Sequence, residues 1–518
     1  MHDDQAAVLA ALASPGAYPH ATDAIRIIET HISTVFLTGP FAYKVKKAVT
    51  FPFLDFSTLP LRERACQDEL RLNRRLAPAL YREVVGIGGP PGEIRVGGEP
   101  VVEFAVKMTQ FPAGATAHEL ILDDALKAAE LESLADRIGQ FHESLPPASG
   151  GEPAASILAN LAELEAEAGE AMRGDLEDVA ASLRASLDGL SASLAQRAEA
   201  GCVRECHGDL HLGNLVRFDG ELIPFDCLEF SLPMRTIDVI DEAAFLFMDL
   251  VAHERRDLAY AFLNTYLGVT GDFAGLTLLR LYVAHRALVR AKVAIASPRQ
   301  LPVPHTEQHA ARYLETALAQ AHAPRPLCVI TTGLSGSGKT TIARQLALGL
   351  GAVHVRSDVE RKRLHGFKPD ERSGSMLDRG IYDAESTAAT YARLADAARA
   401  ALSGRVSVIA DAAFLRREQR DRIRSTLASL DADCVILECT APSEVLRERI
   451  VARHEAGSDA SEADLGVLAQ QLATAEPLTD DEQSAALTLD TEHAIDANDL
   501  AQRIRERTVQ PSVSSTSY

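Results

Sequence analysis

The sequence predicts two phosphate-handling domains in tandem: an α+β domain followed by an α/β domain built on a parallel sheet. Three observations carry that prediction. His207-Gly208-Asp209-Leu210-His211-Leu212-Gly213-Asn214, with Pro224-Phe225-Asp226 beyond it, places two carboxylates and an amide oxygen at short spacing. Gly333-Leu334-Ser335-Gly336-Ser337-Gly338-Lys339-Thr340-Thr341 is a run of small residues ending in a lysine and two hydroxyls. From residue 327 onward, short β-branched apolar runs alternate with helical stretches, whereas residues 20–110 alternate short apolar runs with turns.

The elements follow in order. Residues 34–37 and 42–45 read as strands joined by Thr38-Gly39-Pro40, and residues 61–80 have helical periodicity closed by an alanine-proline pair. Residues 84–87 and 93–108 read as further strands, the latter a hairpin turning at Gly97-Gly98. Beyond Pro112 the chain is rich in alanine, leucine and glutamate and reads as helical to about residue 200. The His207 loop follows, then helices over 233–322, and His322-Ala323-Pro324-Arg325-Pro326 forms a linker. Residues 327–332 suit a buried parallel strand, with further strands expected at 406–410 and 434–438. The expected domains are 1–322 (small lobe 20–110, large lobe 111–322) and 323–508, with a disordered tail over 509–518.

Bulk properties narrow the function. A chain of 518 residues has room for more than one core. A net charge of −21 repels polyanions, so a nucleic-acid or anionic-membrane partner would need a local basic patch. Lys44-Val45-Lys46-Lys47 is the one dense lysine cluster. No apolar run approaches the roughly 18 residues of a membrane span. The acidic start Met1-His2-Asp3-Asp4-Gln5 lacks the features of a secretory signal, so a cytoplasmic location is expected. Seven scattered cysteines argue against a disulfide framework, and Cys202, Cys206, His207 and His211 lack the spacing of a common structural zinc site.

Phosphoryl transfer to a hydroxyl needs a carboxylate for the hydroxyl, oxygen ligands for Mg²⁺ and a lysine on the nucleotide phosphates. Strand alternation puts Lys44 and Lys46 on one face. The His207–Asp226 stretch resembles the aminoglycoside-phosphotransferase and protein-kinase-like superfamily, whose motif reads H-G-D-x-x-x-x-N followed by a metal-binding Asp. That resemblance implies a kinase-like N-terminal fold, Asp209 as catalytic base, and Asn214 and Asp226 as Mg²⁺ ligands. It gives His207 a supporting place in the loop, offers Asp238 and Asp241 as braces for it, and implies one strand lysine on the nucleotide phosphates, Lys44 being preferred to Lys46, paired with Glu69 on the following helix. Only Thr38-Gly39-Pro40 stands where protein kinases carry a fuller glycine-rich loop.

The second run satisfies G-x-x-x-x-G-K-[ST] between an apolar strand and a helical stretch, the context a P-loop requires. Gly333, Ser335, Gly336, Ser337 and Gly338 would let backbone N–H groups surround phosphates at a helix N-terminus. Lys339 would reach the β- and γ-phosphates, Thr340 would bind Mg²⁺, and Thr341 continues the cradle. This half resembles small P-loop kinases of the adenylate-, gluconate-, polynucleotide- and zeta-toxin type. The resemblance implies Asp358 as general base, Arg361 as acceptor clamp and Asp411 as the second metal-associated carboxylate. It also implies a lid, with Arg447, Arg449 and Arg453 on its helix at the transferring phosphate and Ser458-Asp459-Ala460-Ser461-Glu462-Ala463 beyond. Surface pairing with Glu444 and Glu448 is the competing use of these arginines.

The whole chain resembles a bacterial fusion of an aminoglycoside-phosphotransferase-like domain with an ATP-binding P-loop domain. That resemblance implies an enzyme using ATP (or GTP) and Mg²⁺ on a small-molecule hydroxyl acceptor, with no membrane and no nucleic-acid partner. Two alternatives stand beside it. One domain could sense nucleotide for the other, or the P-loop domain could be a polynucleotide- or nucleotide-sugar-kinase-like enzyme.

Overall fold

A computed structural model of the protein describes residues 2–51, 53–90, 92–296, 303–369, 371, 381, 383–427, 429–456 and 460–509. The tail over 510–518 and the Ser458-Asp459 part of the expected lid lie outside them. Contacts divide the chain into two compact units. The first comprises Met1–Leu134, Phe141–Pro153 and Arg197–Asp249; the second comprises Ala135–Gln140, Ala154–Gln196 and Leu250–Tyr518. No helix among the described residues is long and apolar enough to cross a membrane.

The first unit is built on a six-stranded antiparallel sheet of β1 (Arg26–Glu29), β2 (Ser33–Leu37), β3 (Phe41–Lys46), β4 (Tyr81–Gly88), β5 (Arg95–Val96) and β6 (Val101–Thr109), in the order β1-β2-β3-β6-β4-β5. Alternation along β3 decides its chemistry. Tyr43 and Val45 enter an apolar core with Phe36, Ile87 and Ala105, so Lys44 and Lys46 must face the other side. There they meet α1 (Leu59–Asn73), whose buried positions Arg62, Ala65, Cys66, Glu69, Leu72 and Asn73 recur at helical spacing.

The turn at Gly97-Gly98 differs from the expected hairpin. Its two arms, β5 and β6, lie on opposite sides of β4 rather than against each other. Gly88 makes room for that crossing, because a Cβ there would sit 2.1 Å from the Pro100 carbonyl oxygen.

Beyond this sheet, Val203–Glu205 pairs with Thr236–Asp238, and a tight hairpin joins Leu215–Phe218 to Glu221–Pro224. Helix α2 (Val239–Ala252) follows.

The second unit holds a five-stranded parallel sheet: β7 (Leu327–Thr332), β8 (Val353–Arg356), β9 (Val408–Asp411), β10 (Asp433–Thr440) and β11 (Ala486–Asp490), in the order β8-β9-β7-β10-β11. The central β7 is buried at every position, as its continuous apolar run requires. Helix α3 (Lys339–Leu350) lays Ile342, Ala343 and Leu346 on the sheet beside Leu500 and Ile504. Each such large aliphatic side chain contributes about 1.5–3 kcal/mol on burial. The further helices near the phosphate loop are α4 (Ser357–Leu364), α5 (Ala384–Ser403), α6 (Ser443–Ala456) and α7 (Leu465–Thr474). In such sheets, ligands sit at the carboxyl ends of the strands, where Gly333 and Asp411 emerge.

Candidate functional sites

In the first unit, β3 and α1 bring Lys44 Nζ to 2.9 Å from Glu69 Oε1, and the same ammonium is ion-paired with Asp226. Lys46 Nζ lies 2.5 Å from Glu69 Oε2 and also pairs with Glu229. Both lysines therefore share Glu69, but only Lys44 reaches Asp226, and Lys46 is fully enclosed. Burial by itself would raise the Glu69 carboxyl; Lys44 and Lys46 instead hold it down at about 2. Burial raises Glu229 above the ordinary carboxylate range, and Lys46 only partly offsets this.

The loop after Glu205 presents Asp209. Asn214 Nδ2 donates to Asp209 Oδ2 at 2.7 Å, and His211 Nε2 lies 3.4 Å from the same oxygen. The hairpin returns the chain so that Phe225 N donates to Asn214 O at 2.9 Å, which sets Asp226 beside Asn214. Asp226 has φ +61°, a left-handed conformation that strains a non-glycine residue. It is held there by neighbours: Asp226 N donates to the Tyr81 hydroxyl at 3.0 Å, and Cys227 N donates to Asn73 Oδ1 at 2.8 Å. The Asp226 carboxylate and the Asn214 amide oxygen are hard donors of the kind Mg²⁺ takes.

The loop's own supports lie on α2. His207 N donates to both oxygens of Glu242 at 2.9 Å, and Leu212 N donates to Asp249 Oδ2 at 2.9 Å. Burial would raise Glu242, but His142, with its Nε2 3.7 Å away, and then the charge of His207 hold it at about 2. Asp238, expected as a brace, instead pairs with Arg197 at 2.6 Å. Sequence reasoning missed Glu229, Glu242 and Asp249. For Glu242 and Asp249 the available signal was an acid inside an otherwise apolar helix, which must be buried and paired; Glu229 lies in irregular chain and gave none. The short covering turn is tied down by Gly39 N donating to Gln110 Oε1 at 3.0 Å.

In the second unit, β7 delivers the glycine loop and α3 starts at Lys339, capped by Gly338 in the left-handed region. Two glycines are demanded by backbone proximity. A Cβ on Gly333 would lie 2.4 Å from Cys439 O, and one on Gly336 would lie 2.6 Å from Leu446 O. Lys339 Nζ donates to Leu334 O at 3.1 Å. Burial pulls this ammonium below its ordinary value, and Asp411 and Asp358 only partly oppose that. Ser337 Oγ is buried without a hydrogen-bond partner, and Ser335 N donates to Gln471 Oε1 at 2.7 Å. A loop with an orphaned hydroxyl beneath a lysine is a cradle for phosphate oxygens.

A cavity of about 430 Å³ opens over the loop, lined by Lys339, Thr340, Asp358, Arg361, Asp411 and Arg453 among others. Asp411 Oδ2 lies 3.0 Å from His354 Nε2 on β8; burial would raise this carboxyl, but that bond together with the charges of His354, Lys339 and Arg356 holds it below its ordinary value. Thr340 and Asp411 give the same cavity two oxygen donors suited to Mg²⁺. Arg361 Nη1 donates to Ile381 O and Thr387 Oγ1, both at 3.1 Å. Arg453 donates to Ala463 O at 2.8 Å. Arg449, expected beside the phosphate, turns instead to Gly336 O at 3.3 Å and Thr491 O at 2.6 Å, bracing the loop from behind. Thr341 is exposed one position beyond the cavity-lining Thr340. His354 and Gln471 went unread in the sequence because strand and helix pairing alone bring them to the loop.

Residues 328–478 match the AAA_33 family, described as an AAA domain, and this stretch contains the whole glycine loop and its cavity. The uncharacterized protein Rv2004c of Mycobacterium tuberculosis is 32% identical over 445 residues, covering 84% of this chain and 88% of its own length. The chain belongs to that protein's family. The uncharacterized protein Mb2027c of Mycobacterium bovis matches over the same 445 residues. Among solved structures, the chain is similar to a choline/ethanolamine kinase family protein from Mesorhizobium loti, at 15% identity and TM-score 0.34, over 62% of this chain and 100% of that one. It is also similar to a gluconokinase from Sinorhizobium meliloti, at 22% identity and TM-score 0.24, over 36% of this chain and 91% of that one. At these TM-scores neither likeness adds weight to the geometry already described.

Proposed function

We propose that the protein is an ATP- (or GTP-) and Mg²⁺-dependent phosphotransferase acting on a small-molecule hydroxyl, with a nucleotide site in each unit. The observation that carries this reading is the second unit's cavity, where Lys339 and Thr340 share a wall with Asp358, Arg361, Asp411 and Arg453. Its volume of about 430 Å³ suits a small ligand. In this reading the loop N–H groups and Lys339 hold the β- and γ-phosphates. Thr340 and Asp411 hold Mg²⁺, which supplies charge neutralisation on the phosphate oxygens. Asp358 accepts the acceptor's hydroxyl proton as its oxygen bonds to the γ-phosphorus and the bond to the departing diphosphate breaks. Arg361 positions the acceptor, and Arg453 offsets charge on the transferring group.

In the first unit, Lys44 takes the nucleotide phosphates while Glu69 holds it in place. Asn214 and Asp226 hold Mg²⁺, and Asp209 receives the acceptor proton. The test is ATP turnover with a panel of sugars, amino sugars and nucleosides, comparing wild type with Lys339→Ala and Asp209→Ala. Full activity in both variants overturns the assignment.

A second reading is favoured by the ion pair between Lys44 and Asp226, which binds the lysine to the carboxylate that would hold the metal. In that reading the first unit senses nucleotide and gates the second. Asp209→Ala with wild-type turnover, alongside nucleotide binding that persists in Lys339→Ala, would select it.

A further inference from the structure

The second unit contains another cavity, of about 440 Å³, that the phosphotransfer reading does not use. Its walls come from the helices Arg173–Glu199, Leu276–Ala296 and Val303–Ala321 and from the turn that leaves α5 at Ser403. In a chain of net charge −21, the ionisable side chains lining it among the described residues are two arginines, Arg280 and Arg405. The remaining polar groups include Ser182, Ser186 and Gln320, and Leu183 and Leu281 add an apolar floor.

Three features describe how these arginines are held. The Nε of Arg280 is buried with no hydrogen-bond partner, a costly state for a guanidinium N–H. Arg405 has φ +59°, so a non-glycine residue holds the left-handed conformation to keep its side chain on this wall. Its neighbour Gly404 is pressed against the Leu276 carbonyl, where a Cβ would lie only 2.1 Å away, so the turn cannot drift toward that helix. Burial, and then the charge of Arg405, pull Arg280 below the ordinary guanidinium value. Arg405 donates to Asp431 at 3.3 Å and to Ala323 O at 3.5 Å, both long contacts, and that carboxylate is largely exposed and shared with Arg325 at 3.0 Å.

We propose that this cavity is a second small-molecule site, taking an organic phosphate monoester whose dianionic head lies between Arg280 and Arg405 and whose body rests on the leucines. Two guanidiniums match a dianion better than a single carboxylate. The site is independent of the phosphotransfer reading and stands or falls on its own arginines.

The test uses the full chain with AMP-PNP and Mg²⁺ added in excess, titrated calorimetrically with phenyl phosphate and, in parallel, benzoate. Phenyl phosphate is expected to bind once per chain, and Arg280→Gln or Arg405→Gln to weaken it about tenfold. AMP-PNP affinity and Tm should stay unchanged. Arg405→Gln lies on a partly exposed turn and keeps the test valid if Arg280→Gln fails to fold. Absence of phenyl phosphate binding, equal binding in the Arg405→Gln variant, or equally tight benzoate binding would overturn the proposal.

Discussion

The two candidate phosphate sites hold their buried lysines in opposite electrostatic states. In the first unit, Lys44 and Lys46 are matched against three carboxylates: Glu69, Asp226 and Glu229. In the second, Lys339 donates to one carbonyl oxygen, and burial depresses its ammonium. A buried cation with neutral compensation gains most from an arriving phosphate, whereas a compensated one must first release a partner. Motif similarity therefore does not make the sites equivalent: the second is primed for an anion, and the first is a self-neutralised cluster that an anion must reorganise.

The largest effect that would sharpen this contrast is on stability. Glu69→Ala leaves two buried ammonium groups without their shared partner and should cost the first unit about 3–5 kcal/mol, read by denaturant unfolding. A loss well below 1 kcal/mol would break the picture of a self-neutralised cluster. Next in size, Lys339→Ala should lower ATP turnover by about a hundredfold with unchanged unfolding, because the loop is shaped by backbone contacts at Gly333 and Gly336 rather than by the ammonium.

Acid should also separate the two sites. Glu69 and Glu242 are held at about 2, below the ordinary 4.5, so the stability they contribute is present above 4.5 and is lost as pH falls from there toward 2. Probes in the first unit should report unfolding across that window, and Glu69→Gln should flatten the dependence. The smallest effect is expected at Arg449. Arg449→Ala removes a brace behind the loop and should raise the nucleotide KM by about threefold; a collapse of kcat would mean that its guanidinium meets the phosphate after all.

Legibility in the sequence followed the range of the interactions. The glycine loop is a local motif, because the strand before it and the helix after it are contiguous in the chain. That Lys44 and Lys46 share a face was readable from the strand period, and the motif resemblance pointed to Glu69 as their partner. The residues that hold these groups were not readable. His354 lies on β8, whose Val-His-Val-Arg alternation is too short to announce a strand, and Gln471 arrives from a helix 136 residues along from Ser335. Glu242 sits 35 residues from the His207 amide it anchors. The crossing of β5 and β6 on either side of β4 likewise depends on a close approach at Gly88 that no local pattern encodes.

The account rests on a nucleotide site in each unit, and the stoichiometry of AMP-PNP with Mg²⁺ tests that most directly. Calorimetry on the full chain should find two molecules bound per wild-type chain and one per Lys339→Ala chain. A single molecule per wild-type chain, or the same count in both proteins, would contradict it.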